Sequence, residues 1–395
     1  MERGPTGRYE TSATAGERVR CFIPAALPPV PAISLDSTLQ SKLEAAGLAL
    51  GRLDGVSALL PDKALFLYAY VRKEAVLSSQ IEGTQSSLSD LLLFELEEAP
   101  GVPLDDVTEV SNYVSAIEHG LARLRDGFPL SNRLLREIHA VLLASGRGSA
   151  KEPGEFRRSQ NWIGGTRPGN ASFVPPPHTA VADCMTDLER FLNNSDLPVV
   201  IRAALAHVQF ETIHPFLDGN GRVGRLLITF MSCHAGLLRE PLLYLSLYLK
   251  QNRARYYELL DRVRQSGDWE QWLTFFLEGV LQTAEGASTT ASRLAGMFAA
   301  DRTRLQRSGR RAGSALRVQE ALKARPLLSL LQVCRSTGLS FPAASAGMGL
   351  LAELGIAREL TGRRRNRLFV YDRYLSILNE GIEEPRTSAA GPSAR

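Results

Sequence analysis

His214-Pro215-Phe216-Leu217-Asp218-Gly219-Asn220-Gly221-Arg222-Val223-Gly224-Arg225 joins two apolar segments, and its residues dictate the loop it makes. Pro215 resists continuing a helix that reaches His214. Gly219 and Gly221 open backbone conformations closed to other residues. The N–H groups of a tight loop can then point inward as an anion nest. The apolar run from Leu226 predicts a following helix. Its positive end, roughly +0.5 of an elementary charge, would face the loop. Arg222 and Arg225 are three apart, so they share a helix face and can reach one polyanion. Asp218 can hold Mg2+, which takes one or two carboxylates plus phosphate oxygens. Asn220 can donate to a phosphate oxygen. His214 stands at the rim with an ordinary pKa of about 6.5, as suits a general base. The string lacks Gly-Lys-Ser/Thr, so it is a phosphate cradle distinct from a Walker loop.

Working outward, Val181–Asn193 and Pro198–Glu211 read as helices, and more helix follows Asn220 to about Ala287. Residues 151–178 differ in texture. Gly154, Gly164, Gly165, Pro168 and Gly169 break up Trp162-Ile163 and Ser172-Phe173-Val174, which predicts a β-hairpin ending at Pro175-Pro176-Pro177. Upstream, Ser37–Leu96 is patterned as a long helical stretch, followed by a loop at Pro100-Gly101 and helices over Val107–Leu124 and Asn132–Leu143. Residues 1–36, with Pro24, Pro28, Pro29 and Pro31, predict an extended tail.

Downstream, 286–312 is rich in Ser, Ala, Thr, Gly and Arg and reads as a linker or a polar helix; the domain division adopts the linker. Residues 313–380 follow as a small module. Helical patterns fit Ala315–Ala324, Leu328–Thr337 and Pro342–Leu354, with strands at Ala357–Leu360 and Leu368–Tyr371. Three helices and a basic hairpin resemble a winged helix-turn-helix. Residues 301–374 hold 15 Lys and Arg against 5 Asp and Glu, so the positive charge is local. Arg363, Arg364, Arg365 and Arg367 could meet DNA phosphates, with Ser345 as the main side chain suited to a base edge. A protein-docking module with a solvated basic loop is the equal alternative. The polar end, 381–395, reads as disordered.

The chain's 395 residues, 44% hydrophobic and 22% charged, can fill a large core, which excludes wholesale disorder. A net charge of +4 is too small to name a partner. Cys21, Cys184, Cys233 and Cys334 lie far apart, against a disulfide scaffold or structural zinc and in keeping with a reducing cytoplasm. The first twenty residues carry no apolar export signal, and no stretch has the length of a membrane span. His207 precedes His214 by two helical turns and is expected to pack or hydrogen-bond. His119, His139, His178 and His234 form no ligand spacing.

His-Pro-Phe-x-Asp-Gly-Asn-Gly-Arg-x-x-Arg is the signature of the Fic family, which transfers AMP from ATP to protein hydroxyls, and the twelve residues match it throughout. Gly154-Glu155-Phe156-Arg157, Asn161-Trp162-Ile163-Gly164-Gly165, Phe173-Val174-Pro175-Pro176-Pro177 and Tyr256-Tyr257 resemble further family landmarks. The resemblance covers residues from about 40 to 375. It implies a mainly α-helical Fic-fold bundle with a small β-hairpin flap, the catalytic domain running over 116–285 after an N-terminal helical region at 37–115. His214 would deprotonate a Ser, Thr or Tyr hydroxyl, which would attack the α-phosphorus of ATP and expel pyrophosphate. Asp218 would bind Mg2+. Gly219, Asn220 and Gly221 would form the anion hole, with Val223 and Gly224 continuing the phosphate-binding segment and Arg222 and Arg225 at the β/γ end. Tyr256 and Tyr257 would line the adenine pocket, although no further adenine-binding Asn stands in Arg262–Ser266. Trp162, Ile163 and Gly164 would belong to a flap that clamps the target as an added strand. The family's phosphorylating branch carries Lys where this chain has Gly221, which favours AMP transfer.

Ser78-Ser79-Gln80-Ile81-Glu82-Gly83 resembles the family's inhibitory-helix motif. The resemblance implies that Glu82 pairs with Arg225 and withdraws it from the γ-phosphate. Ser78 would steady the helix and Gly83 would let it end. The expected protein is an adenylyltransferase autoinhibited by Glu82. Its partners would be ATP and a hydroxyl-bearing protein, with DNA possible through the C-terminal module, no membrane, and a homodimer plausible. A DNA-binding, nucleotide-sensing regulator and an enzyme that removes AMP are the alternatives.

Overall fold

A computed structural model of the chain describes residues 3–14, 16–59, 63–96, 102–362 and 366–380, without the side chains of 59 and 63–66. The Pro100-Gly101 loop, the Arg363-Arg364-Arg365 run and the 381–395 tail lie outside these residues. The architecture is mainly helical. Its centre is the antiparallel pair α7 (Val199–Ile213) and α8 (Asn220–His234), the two apolar segments flanking the quoted loop. Both are buried nearly all round: in α7 every residue from Val200 to Ile213 except Arg202 is buried. A helix apolar on all faces belongs in the middle of a core.

Around this pair stand α2 (Lys63–Ile81), α4 (Leu104–Arg125), α5 (Asn132–Leu142), α6 (Val181–Asn194), α9 (Ser246–Gln251) and α10 (Arg253–Ser266). The stretch expected to be helical over 37–96 divides into α1 (Ser37–Leu59), α2 and the short α3 (Leu88–Phe94). The break after α2 falls where Gly83 takes φ 103°. α3 restarts behind a capping box, Ser87 with Asp90.

One segment here departs from the sequence expectation. Residues 7–24 are no extended tail: β1 (Gly7–Thr14) and β2 (Glu17–Pro24) form an antiparallel ribbon, Gly7 opposite Pro24 and Thr14 opposite Glu17. The period-2 alternation Arg18-Val19-Arg20-Cys21, with Val19 and Cys21 buried, carries the signal that the prolines masked. Residues 286–312 take the helical of the two forms expected for them. They continue α11 (Trp269–Gln306) for most of their length. Ala284, Ala287, Ala291, Leu294 and Met297 recur at helical spacing and are buried, and α11 packs along α1, whose Ala46, Ala49, Leu50 and Leu53 are also buried. Small side chains let two long helices approach closely, and a stripe of alanines reads as linker composition when its spacing is ignored.

The C-terminal block has α12 (Ala312–Ala324), α13 (Leu330–Thr337) and α14 (Phe341–Glu353), with β3 (Leu327–Ser329), β4 (Arg358–Glu359) and β5 (Leu368–Val370) in the order β3-β5-β4, then α15 (Asp372–Asn379). The strand β3 occupies the start of the module's second expected helix, Leu328–Thr337. Three residues carry no period, and only the antiparallel partner β5 makes them a strand. Tyr371 donates to Asp301 at 2.7 Å and packs with Tyr374 against Phe298, so the block is seated on α11. One continuous apolar cluster runs from the N-terminal helices through this block. Among the described residues no helix is long and apolar enough to cross a membrane.

Candidate functional site

The loop between α7 and α8 is held from three sides. Pro215 stops α7, and His214 takes the left-handed conformation, φ 49° and ψ 61°. A non-glycine residue there is strained and must be held by its surroundings. Arg157 does this. Its Nε donates to His214 O at 2.9 Å, its Nη2 to Pro176 O at 2.6 Å, and its N–H to Pro215 O at 2.9 Å. The buried guanidinium meets only carbonyls, and burial lowers its pKa to about 10. The sequence marked Arg157 as a landmark only; a lone Arg far from the loop carries no spacing that reveals its partner.

Asn220 corrects the expectation of a free phosphate donor. Its Oδ1 accepts from Phe216 N and its Nδ2 donates to Phe216 O, both at 2.8 Å, so the amide closes the loop on itself. Asp218 Oδ1 accepts from Gly219 N at 2.6 Å, and Gly219 has φ 76°. His139 is a second residue the sequence reading passed over. Gly154 N donates to its Nδ1 at 2.8 Å, so its Nε2 carries the proton and donates to Asp218 O at 3.0 Å. The ring lies flat on Phe216, centroids 3.7 Å apart. Burial drives its pKa down to about 4, which keeps it neutral. His139→Ala should strand two buried backbone groups, costing about 3 kcal/mol in urea unfolding. A loss under about 1 kcal/mol would mean that water replaces the ring.

Both arginines of α8 are engaged. Arg225 Nη2 donates to Glu82 Oε1 at 2.7 Å and to Ser78 O at 3.0 Å, and its Nε to Ser78 Oγ at 2.8 Å. Ser78 and Glu82 thus stand against the first turns of α8, and Gly83 follows them where α2 has ended. A methyl group on Gly221 would overlap Glu82 Oε1, so this close approach needs glycine. Burial opposes ionisation of Glu82, yet the charge and hydrogen bond of Arg225 outweigh it and hold the carboxyl below its ordinary value. Arg222 Nη1 donates to Glu109 Oε1 at 2.7 Å and its Nη2 to Asp218 Oδ1 at 3.3 Å. Val223 and Gly224 complete the first turns; Val223 is wholly buried, and Gly224 O accepts from His207 at 2.9 Å.

His214 faces this cluster from the end of α7. Burial, then the charge of Arg157, lowers its pKa to about 4, so the imidazole is neutral and its Nδ1 is buried without a partner. Glu211, one turn earlier, and Glu74, one turn before Ser78, are buried carboxyls pushed up to about 7 by desolvation, which the nearby Arg225 partly offsets.

The flap and the tyrosines are only partly as expected. Residues 161–174 make one bridge, Ile163 with Phe173, rather than two strands. The Asn170 side chain accepts from Thr166 N and Arg167 N at 3.0 Å each and rounds the turn locally instead. Trp162 packs with Val19, Cys21 and Val174, and Arg167 pairs with Glu17 at 2.7 Å, so the ribbon buttresses the flap. Gly164 takes φ 67° in the turn. Tyr256 is buried in the core, its hydroxyl 2.8 Å from His207 Nε2, and so lines no open pocket. His207 packs and bonds as expected. Tyr257, 42% exposed, is the tyrosine available to a ligand.

Among the described residues no group of three or more His, Cys, Asp or Glu side chains could hold a metal by itself. The half-exposed Asp218 carboxylate, with Oδ1 already taken, fits a cation that draws most of its oxygens from phosphates and water.

Residues 40–122 match the Fic/DOC family N-terminal model and residues 129–232 the Fic/DOC family model. The protein adenylyltransferase Fic of Drosophila ananassae is 32% identical over 188 residues, 47% of this chain and 35% of that protein. The protein of that name from Drosophila willistoni is 29% identical over 260 residues, 64% of this chain and 48% of the relative. The chain therefore spans about a third to a half of the length of these curated relatives. In fold, the chain is similar to the crystal structure of a Fic family protein from Desulfovibrio desulfuricans G20, with a TM-score of 0.55 and 20% identity over 86% of this chain and 97% of that one.

Proposed function

From the premise that this chain carries Fic/DOC family domains at 40–122 and 129–232, we propose that it is a protein adenylyltransferase held inactive by its own Glu82. The observation that carries this reading is the Glu82–Arg225 pair, 2.7 Å long, at the head of the helix that follows the anion-binding loop. The reaction would move AMP from ATP to a Ser, Thr or Tyr hydroxyl of a target protein. The neutral His214 imidazole accepts the hydroxyl proton. The oxygen forms a bond to the α-phosphorus as the bond to pyrophosphate breaks. Backbone N–H groups of Gly219, Asn220 and Gly221, at the positive end of α8, receive the phosphate charge, with the Asn220 side chain bracing them. Mg2+, held by Asp218, would supply neutralisation of phosphate charge. Arg225, once free of Glu82, binds the far phosphates. Tyr257 stacks on adenine, and the backbone around Trp162, Ile163 and Gly164 aligns the target chain.

Label transfer from ATP labelled at the α-phosphate tests this, comparing the unaltered chain with Glu82→Gly and with Glu82→Gly/His214→Ala. Label in the Glu82→Gly protein alone is the expected result. No label in any of the three, with a lysate as target source, would overturn the reading.

We further infer that 313–380 is a winged-helix module that docks protein rather than DNA. Leu331, Phe341 and Leu360 are exposed on it. Two of its arginines are already paired, Arg358 with Asp372 and Arg367 with Glu359, and its Glu353 pairs with Arg311 just before it. The full chain should give no mobility shift with duplex DNA even at low salt. A shift that weakens steeply with added salt would restore the DNA reading.

A further inference from the structure

The two arginines of α8 are placed differently. Arg225 meets a carboxylate that is 31% exposed at its side chain and hangs from the last turn of α2. Both guanidinium side chains are themselves 2% exposed; the difference lies in the partner, for Glu109 on α4, which holds Arg222, is also only 2% exposed. Glu109 is itself flanked by Arg147, whose Nη2 lies 3.0 Å from Oε2. A line of alternating charge results, Arg147–Glu109–Arg222–Asp218, from an exposed cation through a buried pair to a carboxylate 36% exposed at the loop. The line closes sterically as well. Gly148, next to Arg147, has φ 90° and passes so near Asp218 that a methyl group there would sit 2.9 Å from Oδ2.

This arrangement does not suit a guanidinium that swings out to a phosphate chain. Leaving Glu109 would abandon a buried carboxylate, which is strongly unfavourable. It suits a guanidinium that holds another side chain still. Resting on the ATP-and-Mg2+ reading above, we propose that Glu109 is a positioning residue for the cation side of the site. Glu109 anchors Arg222, Arg222 and Gly219 N engage Asp218 Oδ1, and Oδ2 is left as the oxygen for the cation. Arg222 thereby serves Asp218 rather than the β/γ-phosphates. Partners that orient a metal-binding side chain commonly govern metal affinity by 10- to 100-fold.

The test measures ATP binding by calorimetry, in EDTA and across a Mg2+ series, with Glu82→Gly protein as the parent. The parent is expected to bind ATP more tightly as Mg2+ rises. Adding Glu109→Gln should raise the Mg2+ concentration for half of that gain about tenfold, while ATP affinity in EDTA changes by less than about twofold. An unshifted Mg2+ dependence would overturn the positioning role, as would a marked change of affinity in EDTA, since the latter marks Arg222 as a phosphate holder. Glu109→Gln strands a buried guanidinium and could unfold the chain, so a second variant, Glu109→Gln/Arg222→Met, removes both charges. It should show the same Mg2+ shift as the single change, because both break one chain of contacts. Recovery of the parent's Mg2+ dependence in the double variant would also overturn the proposal. A parent that binds no ATP at any Mg2+ concentration sinks the underlying reading; a parent that binds normally isolates any failure to Glu109.

Discussion

Glu82→Gly should raise AMP transfer by about 100-fold over the unaltered chain, the scale at which a single oriented charge acts on a phosphate or oxyanion in a closed site. The reason is local. Glu82 neutralises Arg225, and its Oε1 sits so close to Gly221 that it also brings negative charge to the start of α8, where the proposed reaction would place phosphate. Removing the carboxylate leaves Arg225 bonded to Ser78 Oγ and O, so the guanidinium stays oriented while its charge is released. The backbone cost is small, because α2 already ends at Ile81 and glycine at 82 breaks no helix interior. Initial rates of label transfer, at equal protein and saturating Mg2+, measure the effect. Equal rates in the two proteins would remove Glu82 from any inhibitory role.

His214→Ala in the Glu82→Gly protein should cost about 100- to 10,000-fold, the usual contribution of a positioned base. The pH profile separates this from a merely structural loss. Burial and Arg157 set the His214 pKa at about 4, and Glu82 is among the groups that raise it. Removing Glu82 therefore moves the pKa further down. The imidazole stays neutral across the range where an ordinary histidine, with a pKa of about 6.5, would take up a proton. Transfer by the Glu82→Gly protein should then show no acid limb between about pH 5 and pH 8. A fall to half rate near pH 6.5 would show that His214 titrates normally, and that the burial seen beside Glu82 does not persist in the active form.

How much of this was legible beforehand depends on whether a residue's partner lies nearby in sequence. The loop was legible because each of its demands is local: Pro215 stops a helix, Gly219 needs positive φ, and Arg222 and Arg225 are one turn apart. Gly83 was legible for the same reason. The ribbon at 7–24 and the continuation of α11 through 286–306 were also written locally, in alternation and in alanine spacing, but under compositions that suggest tail and linker. There the failure was one of weighting composition over period.

Other features were not written locally at all. His139 reaches Asp218 from 79 residues away and Glu109 reaches Arg222 across 113, and nothing in either neighbourhood marks the residue. Tyr256 and Tyr257 make the same point within a dipeptide. Successive residues on a helix face about 100° apart, so one enters the core on His207 while the other remains exposed, and which does so depends on where α7 lies.

The sequence by itself therefore determined a helical protein with a loop patterned as a phosphate cradle and a motif resembling an inhibitory helix, because helix periods, turn chemistry and loop charge act within a few residues. Only the tertiary structure decided which groups are free to act. Asn220 is spent on Phe216, Arg222 is held by Glu109, Arg225 is held by Glu82, and His214 is kept neutral. Burial and charge pairing are properties of what packs against a side chain, and those neighbours come from every part of the chain.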